Sequence, residues 1–208
     1  MIDAIFFDFG GVIASSPFEA FAAYEQRAGL PRHFIRSVNS RNPDDNAWAH
    51  LERGSIDVPA FVAEFESEAA AMGHPVNGYE VLGCLEGEIR PAMVDAVRRC
   101  RESFTTALLT NNVVSMDAIG PGADRIAPVL EHFDVILESS VVGVRKPDRR
   151  FYQLACERVG VDATGVVFLD DLGINLKPAR EMGMHTIKVA DPDAAITELE
   201  HVTGLELR

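Results

Sequence analysis

The sequence predicts an α/β protein: a doubly wound, Rossmann-like parallel sheet with an all-helical cap inserted after its first strand. Two patterns support this fold class. From residue 91 onward, short apolar segments alternate with helical segments, which is the order that parallel strands joined by crossover helices produce. A further apolar segment, residues 3–7, stands far ahead of the others and is followed by a long stretch with helical periodicity only.

The elements can be assigned in order from these patterns. In the helical stretch, apolar residues at helical spacing predict four helices: Phe18 to Gly29, one that Pro31 opens, one at Ala47 to Leu51, and one that Asp57 caps and Gly73 ends. The predicted strands are 3–7, 106–110, 134–138, 166–169 and 185–189. The predicted helices between and after them are 93–100, 151–159, 176–182 and one that begins at Asp191-Pro192, with a loop at Gly120-Pro121-Gly122.

The helical block interrupts the α/β domain rather than preceding it. We therefore expect a core domain of residues 1–14 and 89–208 and a cap domain of residues 15–88. In open α/β sheets, ligands bind at the carboxyl ends of the strands, and the block leaves the core at that end of the first strand. This position predicts that the cap covers a ligand site.

Composition narrows the class of protein. With 47% hydrophobic and 25% charged residues, the chain is typical of a globular protein in water. No segment approaches the roughly 20 apolar residues of a membrane-spanning helix, and the start Met1-Ile2-Asp3 lacks a basic leader region. We expect a cytoplasmic protein without a membrane partner. The net charge of -13 opposes nucleic-acid binding, so an anionic ligand would need a local cationic pocket.

Cysteines and histidines give no sign of a zinc site. The three cysteines are widely spaced, which favours free thiols over disulfides: Cys84, Cys100 and Cys156. The six histidines show no ligand spacing, so no role is assigned to any of them.

Acidic residues follow two of the predicted strands at the point where each strand ends. Asp8 comes directly after an apolar run, and Asp170 and Asp171 follow another. A carboxylate at the end of a buried strand is costly unless a cation, a proton or a reacting group meets it. Because the carboxyl ends of parallel strands lie at one edge of a sheet, these acids indicate a metal site.

Four motifs at predicted strand or loop ends occur in a characteristic order. They are Phe7-Asp8-Phe9-Gly10-Gly11, Leu109-Thr110-Asn111-Asn112, Arg145-Lys146-Pro147-Asp148, and Asp170-Asp171 with Asn175. In this order the chain resembles the haloacid dehalogenase-like (HAD) superfamily with a helical, C1-type cap. Within it, the motifs are most similar to the amino-terminal phosphatase-like domain of soluble epoxide hydrolase and to a domain of some acyl-CoA dehydrogenase family proteins. The resemblance covers essentially the whole chain.

The resemblance implies a catalytic role for five residues. Asp8 would be the nucleophile that attacks phosphorus and forms an aspartyl phosphate, which water later hydrolyses. Lys146 would offset the repulsion between that carboxylate and an incoming phosphate. The Thr110 hydroxyl and the amides around Asn111 would donate to the oxygens of the transferring group. Asp170 would orient the lysine or reach a metal ion through water.

The resemblance also implies a magnesium ion, because an all-oxygen site that meets a phosphate suits this cation. We expect it between the Asp8 carboxylate, the Gly10 backbone carbonyl and Asp171. Asn175 would steady the loop that carries the metal ligand. The expected substrate is a small soluble phosphate, while the oligomeric state, monomer or homodimer, is open.

Each candidate also has a structural interpretation. Asp8 could cap a turn, and Asp170 with Asp171 could cap the following helix. Lys146 could be a solvated loop charge and Thr110 an ordinary strand end. The ordered set of four motifs outweighs these interpretations. In the cap, Trp48 and Arg53 are candidates for substrate contact, but a tryptophan in the cap core and a surface arginine are favoured.

Gly10 departs from the pattern of many phosphatases in the superfamily, which carry a second aspartate there as general acid and base. Such a proton donor contributes roughly two to four powers of ten in rate, so we expect slow hydrolysis or a need for good leaving groups. Two alternatives remain. A 2-haloacid dehalogenase would not need magnesium, so the Asp170-Asp171 pair opposes it, whereas Gly10 favours a non-catalytic phosphate-binding or regulatory module.

Overall fold

The computed structural model describes residues 1–112 and 123–208. The strands in this part of the chain are β1 Ala4–Phe7, β2 Thr105–Thr110, β3 Val135–Glu138, β4 Val166–Asp170 and β5 His185–Lys188. They form one parallel sheet in the order β3-β2-β1-β4-β5. This sheet and the helical insert between β1 and β2 confirm the predicted fold class.

Helices fill the insert and cover the sheet. Those of the insert are α1 Pro17–Ala28, α2 Phe34–Ser40, α3 Ala47–Glu52, α4 Val58–Ala71 and α5 Gly78–Gly83. Those of the α/β part are α6 Pro91–Cys100, α7 Ala123–Leu130, α8 Ser139–Val142, α9 Arg149–Val159, α10 Gly173–Glu181 and α11 Pro192–Thr203. None of the helices described is long and apolar enough to cross a membrane.

The central strand β1 is buried because it pairs with a strand on each side. Phe7 lies beside Leu108 of β2 and Leu169 of β4, and all four residues of β1 have no exposed surface. A strand covered on both faces has a continuously apolar sequence, and residues 4–7 have this pattern. The next residue, Asp8, therefore lies between two strand ends, and its N–H donates to the carbonyl oxygen of Leu169 at 2.9 Å.

Two apolar clusters cover the two faces of the sheet. One packs α6 and α11 against the sheet and includes Phe7, Val97 and Leu199. The other packs α9 and α10 against the opposite face and includes Phe6 and Leu176. Because successive side chains of a strand point to opposite faces, Phe6 and Phe7 belong to different clusters.

The insert has an apolar cluster of its own. The Trp48 ring lies edge-on to Phe61, with ring centroids 4.9 Å apart, and Phe61 stacks on Phe65 at 5.4 Å. All members of this cluster lie between Phe18 and Leu85. The insert therefore buries its own apolar side chains, as a helical unit with a separate core does.

The chain enters and leaves the insert through adjacent segments. The N–H of Ser15 donates to the carbonyl oxygen of Glu88 at 2.8 Å. The exact limits of the two domains, 1–14 with 89–208 and 15–88, remain a prediction.

Most predicted elements match the structure, and the differences have local causes. Asp57 caps α4 as predicted, and its carboxylate accepts from the N–H of Ala60 at 2.9 Å. The second helix begins at Phe34 and not at Pro31, because His33 has a left-handed φ of 63° that a helix cannot contain. The short helices α5 and α8, and α7, were not predicted. The predicted loop 120–122 lies outside the described residues.

The three cysteines are free thiols, as their spacing predicts. Burial raises the pKa of the Cys100 thiol to about 12. Burial also raises the pKa of the Cys84 and Cys156 thiols above their ordinary value. The thiolate forms are therefore disfavoured, which fits packing roles for these side chains.

Candidate active site

Lys146 lies at the centre of a buried ionic cluster at the carboxyl edge of the sheet. Its ammonium is 2.8 Å from Asp8 Oδ1 and 2.8 Å from Asp170 Oδ2, and it donates to the carbonyl oxygen of Leu109 at 2.9 Å. The lysine side chain is only 1% exposed, and these three acceptors match its three N–H groups. The strand ends of β1, β2 and β4 thus converge on one cation.

Burial and neighbouring charges shift the pKa values in this cluster in opposite directions. Burial raises the pKa of Asp8 well above its ordinary value, and the neighbouring ammonium of Lys146 opposes part of that rise. Burial lowers the pKa of Lys146, but the carboxylates of Asp170 and Asp8 outweigh burial and raise that pKa above its ordinary value. The lysine is therefore protonated at neutral pH and faces two carboxylates.

Asp170 is fully buried and is held on both of its oxygens. Its Oδ1 accepts from the N–H of Leu172 at 2.8 Å, and the side-chain amide of Asn175 lies 3.1 Å from each oxygen. Its Oδ2 also lies 2.8 Å from the Lys146 ammonium, so the orientation of this lysine, one of the two predicted roles of Asp170, remains a prediction consistent with the geometry. The Asn175 amide thus contacts the carboxylate of Asp170, the last residue of β4.

Three carboxylates form a candidate metal centre. Oxygen atoms of Asp8, Asp170 and Asp171 all lie within 4.8 Å of one another. Burial raises the pKa of Asp171 to about 6, and the charge of Asp170 adds to this rise. Three acids against one lysine leave an excess of negative charge, and an all-oxygen donor set of this kind fits Mg²⁺. Asp8 and Asp171 line the cavity described below together with Gly10, whereas Asp170 is enclosed behind it.

The turn after Asp8 contains two glycines under different constraints. A Cβ built on Gly10 would meet no atom within 4 Å, so there is open space beside this residue. Gly11 has a φ of 81°, and a Cβ there would lie 2.3 Å from the carboxylate carbon of Asp171. Only glycine combines this backbone conformation with so close an approach. The sequence alone does not reveal the contact with Asp171.

Thr110 and Asn111 stand where β2 ends. Thr110 is 4% exposed and lines the cavity. The side chain of Asn111 clamps the peptide of Lys146: its Oδ1 accepts from the lysine N–H at 2.9 Å and its Nδ2 donates to the lysine carbonyl at 3.0 Å. The structure thus brings both residues to the site, with Asn111 bound to the backbone of the lysine segment.

A cap residue that the sequence analysis missed also reaches the site. Glu52, at the end of α3, accepts from Arg145 Nη1 at 2.7 Å and from Asn111 Nδ2 at 3.2 Å. Burial raises the pKa of Glu52 above its ordinary value, although the charge of Arg145 opposes this. Because Glu52 and Arg145 are 93 positions apart, no local pattern in the sequence could have linked them.

A cavity of about 330 Å³ opens onto these groups. Its polar lining consists mainly of Asp8, Glu52, Thr110, Asn111, Lys146 and Asp171. Its apolar lining includes Phe9, Phe18, Leu85, Ile126 and Leu172. The cap contributes Phe18, Glu52 and Leu85 to this lining, so the cavity lies between the insert and the sheet. This position agrees with the sequence-based expectation that the insert covers a ligand site.

The two cap residues considered for substrate contact lie elsewhere. Trp48 belongs to the apolar cluster of the insert and does not line the described part of the cavity. Arg53 donates to the carbonyl oxygen of Asp44 at 2.8 Å and borders a different cavity. The favoured interpretation of Trp48, packing in the cap core, therefore agrees with the structure.

A family model for haloacid dehalogenase-like hydrolases matches residues 2–183. The fold, the order of the motifs and this match together place the chain in the HAD-like hydrolase family. The chain is 35% identical to acyl-CoA dehydrogenase family member 10 of Mus musculus, over 98% of this chain and 19% of that protein. It is 33% identical to bifunctional epoxide hydrolase 2 of Sus scrofa, over 98% of this chain and 39% of that protein.

The resemblance to these two groups is thereby confirmed, and the chain spans less than half the length of either relative. It is also 29% identical to phosphatase MT3486 of Mycobacterium tuberculosis, over 90% of this chain and 87% of that protein.

Two solved structures share the fold. A predicted HAD-like family hydrolase from Porphyromonas gingivalis superposes with a TM-score of 0.65 at 24% identity, covering 96% of this chain and 98% of that one. A HAD family enzyme from Bacteroides thetaiotaomicron, in complex with magnesium and inorganic phosphate, superposes with a TM-score of 0.61 at 20% identity, covering 90% and 94%. At these identities the likeness concerns the fold.

Proposed function

We propose that this chain is a magnesium-dependent phosphomonoester hydrolase that acts on a small soluble phosphate through an aspartyl phosphate on Asp8. The observation that carries the proposal is the position of the Asp8 carboxylate. It lines the cavity, lies 2.8 Å from the Lys146 ammonium, and has the Asp171 carboxylate within 4.8 Å. The similarity to a mycobacterial protein named as a phosphatase, and the magnesium and phosphate held by a structural neighbour, support it.

In the proposed reaction, a carboxylate oxygen of Asp8 attacks phosphorus while the bond from phosphorus to the ester oxygen breaks. The alcohol leaves with a proton taken from water, and the hydroxide so formed takes up the proton that is lost when the second water adds to phosphorus. A second water molecule then attacks phosphorus, the bond to Asp8 breaks, and inorganic phosphate leaves. The ammonium of Lys146 lowers the repulsion between the Asp8 carboxylate and the phosphate in both steps, because it is held beside that carboxylate in a buried setting.

Magnesium would be held by the carboxylates of Asp8 and Asp171 and the backbone carbonyl of Gly10, and when bound it would neutralise charge on the phosphate oxygens. Thr110 lines the cavity, and its hydroxyl would donate to the transferring group. We further propose that residues 15–88 act as the cap of this site and that residues 1–14 and 89–208 form its core.

The open space at Gly10 affects the substrates that can react. No side chain there can protonate the leaving group, and a positioned acid contributes about 10²- to 10⁴-fold in rate. Alkyl esters, which are poor leaving groups, are expected to lose this factor, whereas esters of acidic alcohols are expected to lose much less of it. The same feature favours a second candidate function, a phosphate-binding module without turnover. Dehalogenation is the less favoured enzyme class, because the three-carboxylate cluster suits a metal ion.

The test is phosphate release from p-nitrophenyl phosphate and a panel of small alkyl and sugar phosphates, with Mg²⁺ or with EDTA. Asp8→Asn should abolish release, because the amide is not a nucleophile toward phosphorus. Asp162→Asn, which changes an exposed aspartate outside the site, is the matched control and should retain it. Circular dichroism of each variant establishes that it is folded.

The outcomes separate the three functions. Release that requires both Mg²⁺ and Asp8 supports the phosphatase. Folded protein that binds a metal fluoride with Mg²⁺ but releases no phosphate points to the binding module and overturns the proposal. Chloride release from chloroacetate in EDTA would establish the dehalogenase instead.

A further inference from the structure

Glu52 is the only charged cap side chain among the described residues that line the site cavity. Its carboxylate is anchored through one oxygen, since Oε2 accepts from both Arg145 and Asn111. Within the described part of the chain no hydrogen bond reaches Oε1. Half of the carboxylate thus retains its capacity to accept hydrogen bonds.

The ion pair between Glu52 and Arg145 forms part of a wall between two cavities. Glu52 borders the site cavity, whereas Arg145 borders a separate cavity of about 330 Å³ together with Arg53 and Asp148. A molecule in the site cavity therefore meets the carboxylate first, with the guanidinium behind it. The side chains are 18% and 15% exposed, so the pair is partly shielded from solvent screening.

Among the described residues that line the site cavity, no free cation offsets the negative charge of Glu52. Lys146 is the cation among the described lining residues, and its ammonium is already shared by Asp8, Asp170 and a carbonyl oxygen. Apart from Ser15, the remaining described wall on the cap side is apolar and includes Phe18 and Leu85. The organic part of a substrate would thus face an apolar surface with one carboxylate in it.

We propose that Glu52 sets the charge that the site accepts on the organic part of its substrate: it disfavours a second anionic group and favours an uncharged group or a cationic amine. This inference rests on the proposed phosphatase function and adds the chemical class of the substrate. The physical reason is direct repulsion in a partly desolvated cavity for an anion, and a charge-assisted hydrogen bond to Oε1 for an amine. Rejection by an unfavourable charge is a common source of specificity.

The experiment compares three phosphate esters of equal chain length: propyl phosphate, 3-aminopropyl phosphate and the phosphate ester of 3-hydroxypropanoate. kcat/KM is measured with Mg²⁺ at about pH 8, because burial raises the pKa of Glu52 and a higher pH favours its ionised form. Wild-type protein is expected to prefer the propyl over the carboxylate ester by about tenfold or more. Glu52→Gln should reduce this ratio to near one, because glutamine can still accept from Arg145 and Asn111 but carries no charge.

Two variants serve as controls. Glu52→Asp keeps the charge and should keep the preference against the carboxylate ester. Glu80→Gln removes an acid from the cap surface, where it pairs with Arg27 at 3.6 Å, and should leave the ratio as in wild type.

Each outcome bears on the inference. Equal kcat/KM of wild-type protein for the propyl and carboxylate esters overturns it, even if no Glu52 variant folds. So does an unchanged ratio in folded Glu52→Gln. Release from p-nitrophenyl phosphate but from none of the three esters overturns this inference alone. If wild-type protein releases phosphate from none of the four substrates, the proposed function fails, and this inference fails with it.

Discussion

Lys146 joins stability and chemistry in one side chain. Its ammonium neutralises part of the charge of Asp8 and Asp170, and all three groups are enclosed by the sheet and the segments that follow it. Removing one partner from a buried ionic cluster leaves the other charges without compensation. The lysine is therefore expected to be required for the fold as well as for the proposed reaction.

We predict that Lys146→Met lowers the free energy of unfolding by about 3–5 kcal/mol in urea denaturation. Methionine retains much of the aliphatic volume, so the loss reports mainly the missing charge. Lys177→Met, on an exposed position of α10, is the matched control and should change the free energy of unfolding by less than about 0.5 kcal/mol. A Lys146 variant as stable as wild type would contradict the assignment of a buried ionic cluster.

Gly11 supports a second prediction, which concerns the metal site. In Gly11→Ala the new methyl group displaces the Asp171 carboxylate, because the two would lie 2.3 Å apart. We expect Mg²⁺ affinity to fall by roughly 10- to 100-fold, as is usual when a supporting contact of a metal ligand is lost. Isothermal titration calorimetry measures this affinity.

The control for Gly11 is Gly29→Ala. Gly29 also has a positive φ, 66°, but a Cβ there meets no atom within 4 Å. Both variants carry the backbone strain of a left-handed alanine, roughly 1–2 kcal/mol, and Gly11→Ala adds the steric cost of displacing Asp171. Only Gly11→Ala should lose Mg²⁺ affinity, and an equal loss in both would refute the steric explanation.

Among elements, helices α3 and α4 of the cap are joined by a histidine between two acids. His50 Nδ1 lies 3.0 Å from Glu64 and Nε2 lies 2.9 Å from Asp45. The hydrogen bond to Glu64 is the main cause of a raised pKa of His50, and that to Asp45 adds to it. The folded protein therefore binds this proton more tightly than the unfolded chain does.

The raised pKa of His50 determines the direction in which stability changes with pH. The contribution of His50 is complete below the unfolded-state pKa of about 6.5 and is lost as pH rises through the higher pKa of the folded protein. We predict that the melting temperature of His50→Gln falls less than that of wild type between pH about 6 and about 8.5. Glu64→Gln should act likewise, whereas Glu19→Gln, an exposed change on α1, should behave as wild type. Parallel curves for wild type and His50→Gln would contradict the prediction.

The sequence predicts an element correctly where residues close together in the chain determine its start or end. Asp57 and Asp191 predict helix starts because a cap involves residues only three positions apart. The predicted start of α2 at Pro31 is wrong, because His33 has a left-handed backbone, which is uncommon for a residue other than glycine. Helix α5 was missed because its six residues begin and end with glycine, which has a low helix propensity.

For the whole molecule, the clustered carboxylates predict stabilisation by the metal ion. A ligand that binds only the folded state at about 100 times its Kd adds about 2.7 kcal/mol, which corresponds to a rise in Tm of roughly 5–10 °C for a chain of this size. We predict such a rise with Mg²⁺ in differential scanning calorimetry and its reversal by EDTA. Asp171→Asn should abolish the rise and Asp162→Asn should retain it; an equal rise in both would exclude this metal site.

The site was partly predictable from the sequence, and the reason lies in the sheet. Asp8, Thr110 and Asp170 were predicted to lie together because each follows or ends a parallel strand, and parallel strands end at one edge. The roles assigned to these residues, and to Lys146, remain predictions. Glu52 was not found, because it enters the site from a helix of the insert that the motifs do not contain.

The sequence by itself determined the fold class, the presence of a helical insert and the family. Apolar periodicity and short motifs each depend on nearby residues, and the order of the motifs can be followed along the chain. Only the tertiary structure decided which groups touch. It placed Lys146 between Asp8 and Asp170, pressed Gly11 against Asp171, and brought Glu52 to Arg145 across 93 positions of the chain. Contacts of this kind depend on how the strand ends converge and on how the cap packs on the sheet, and no local pattern encodes that packing.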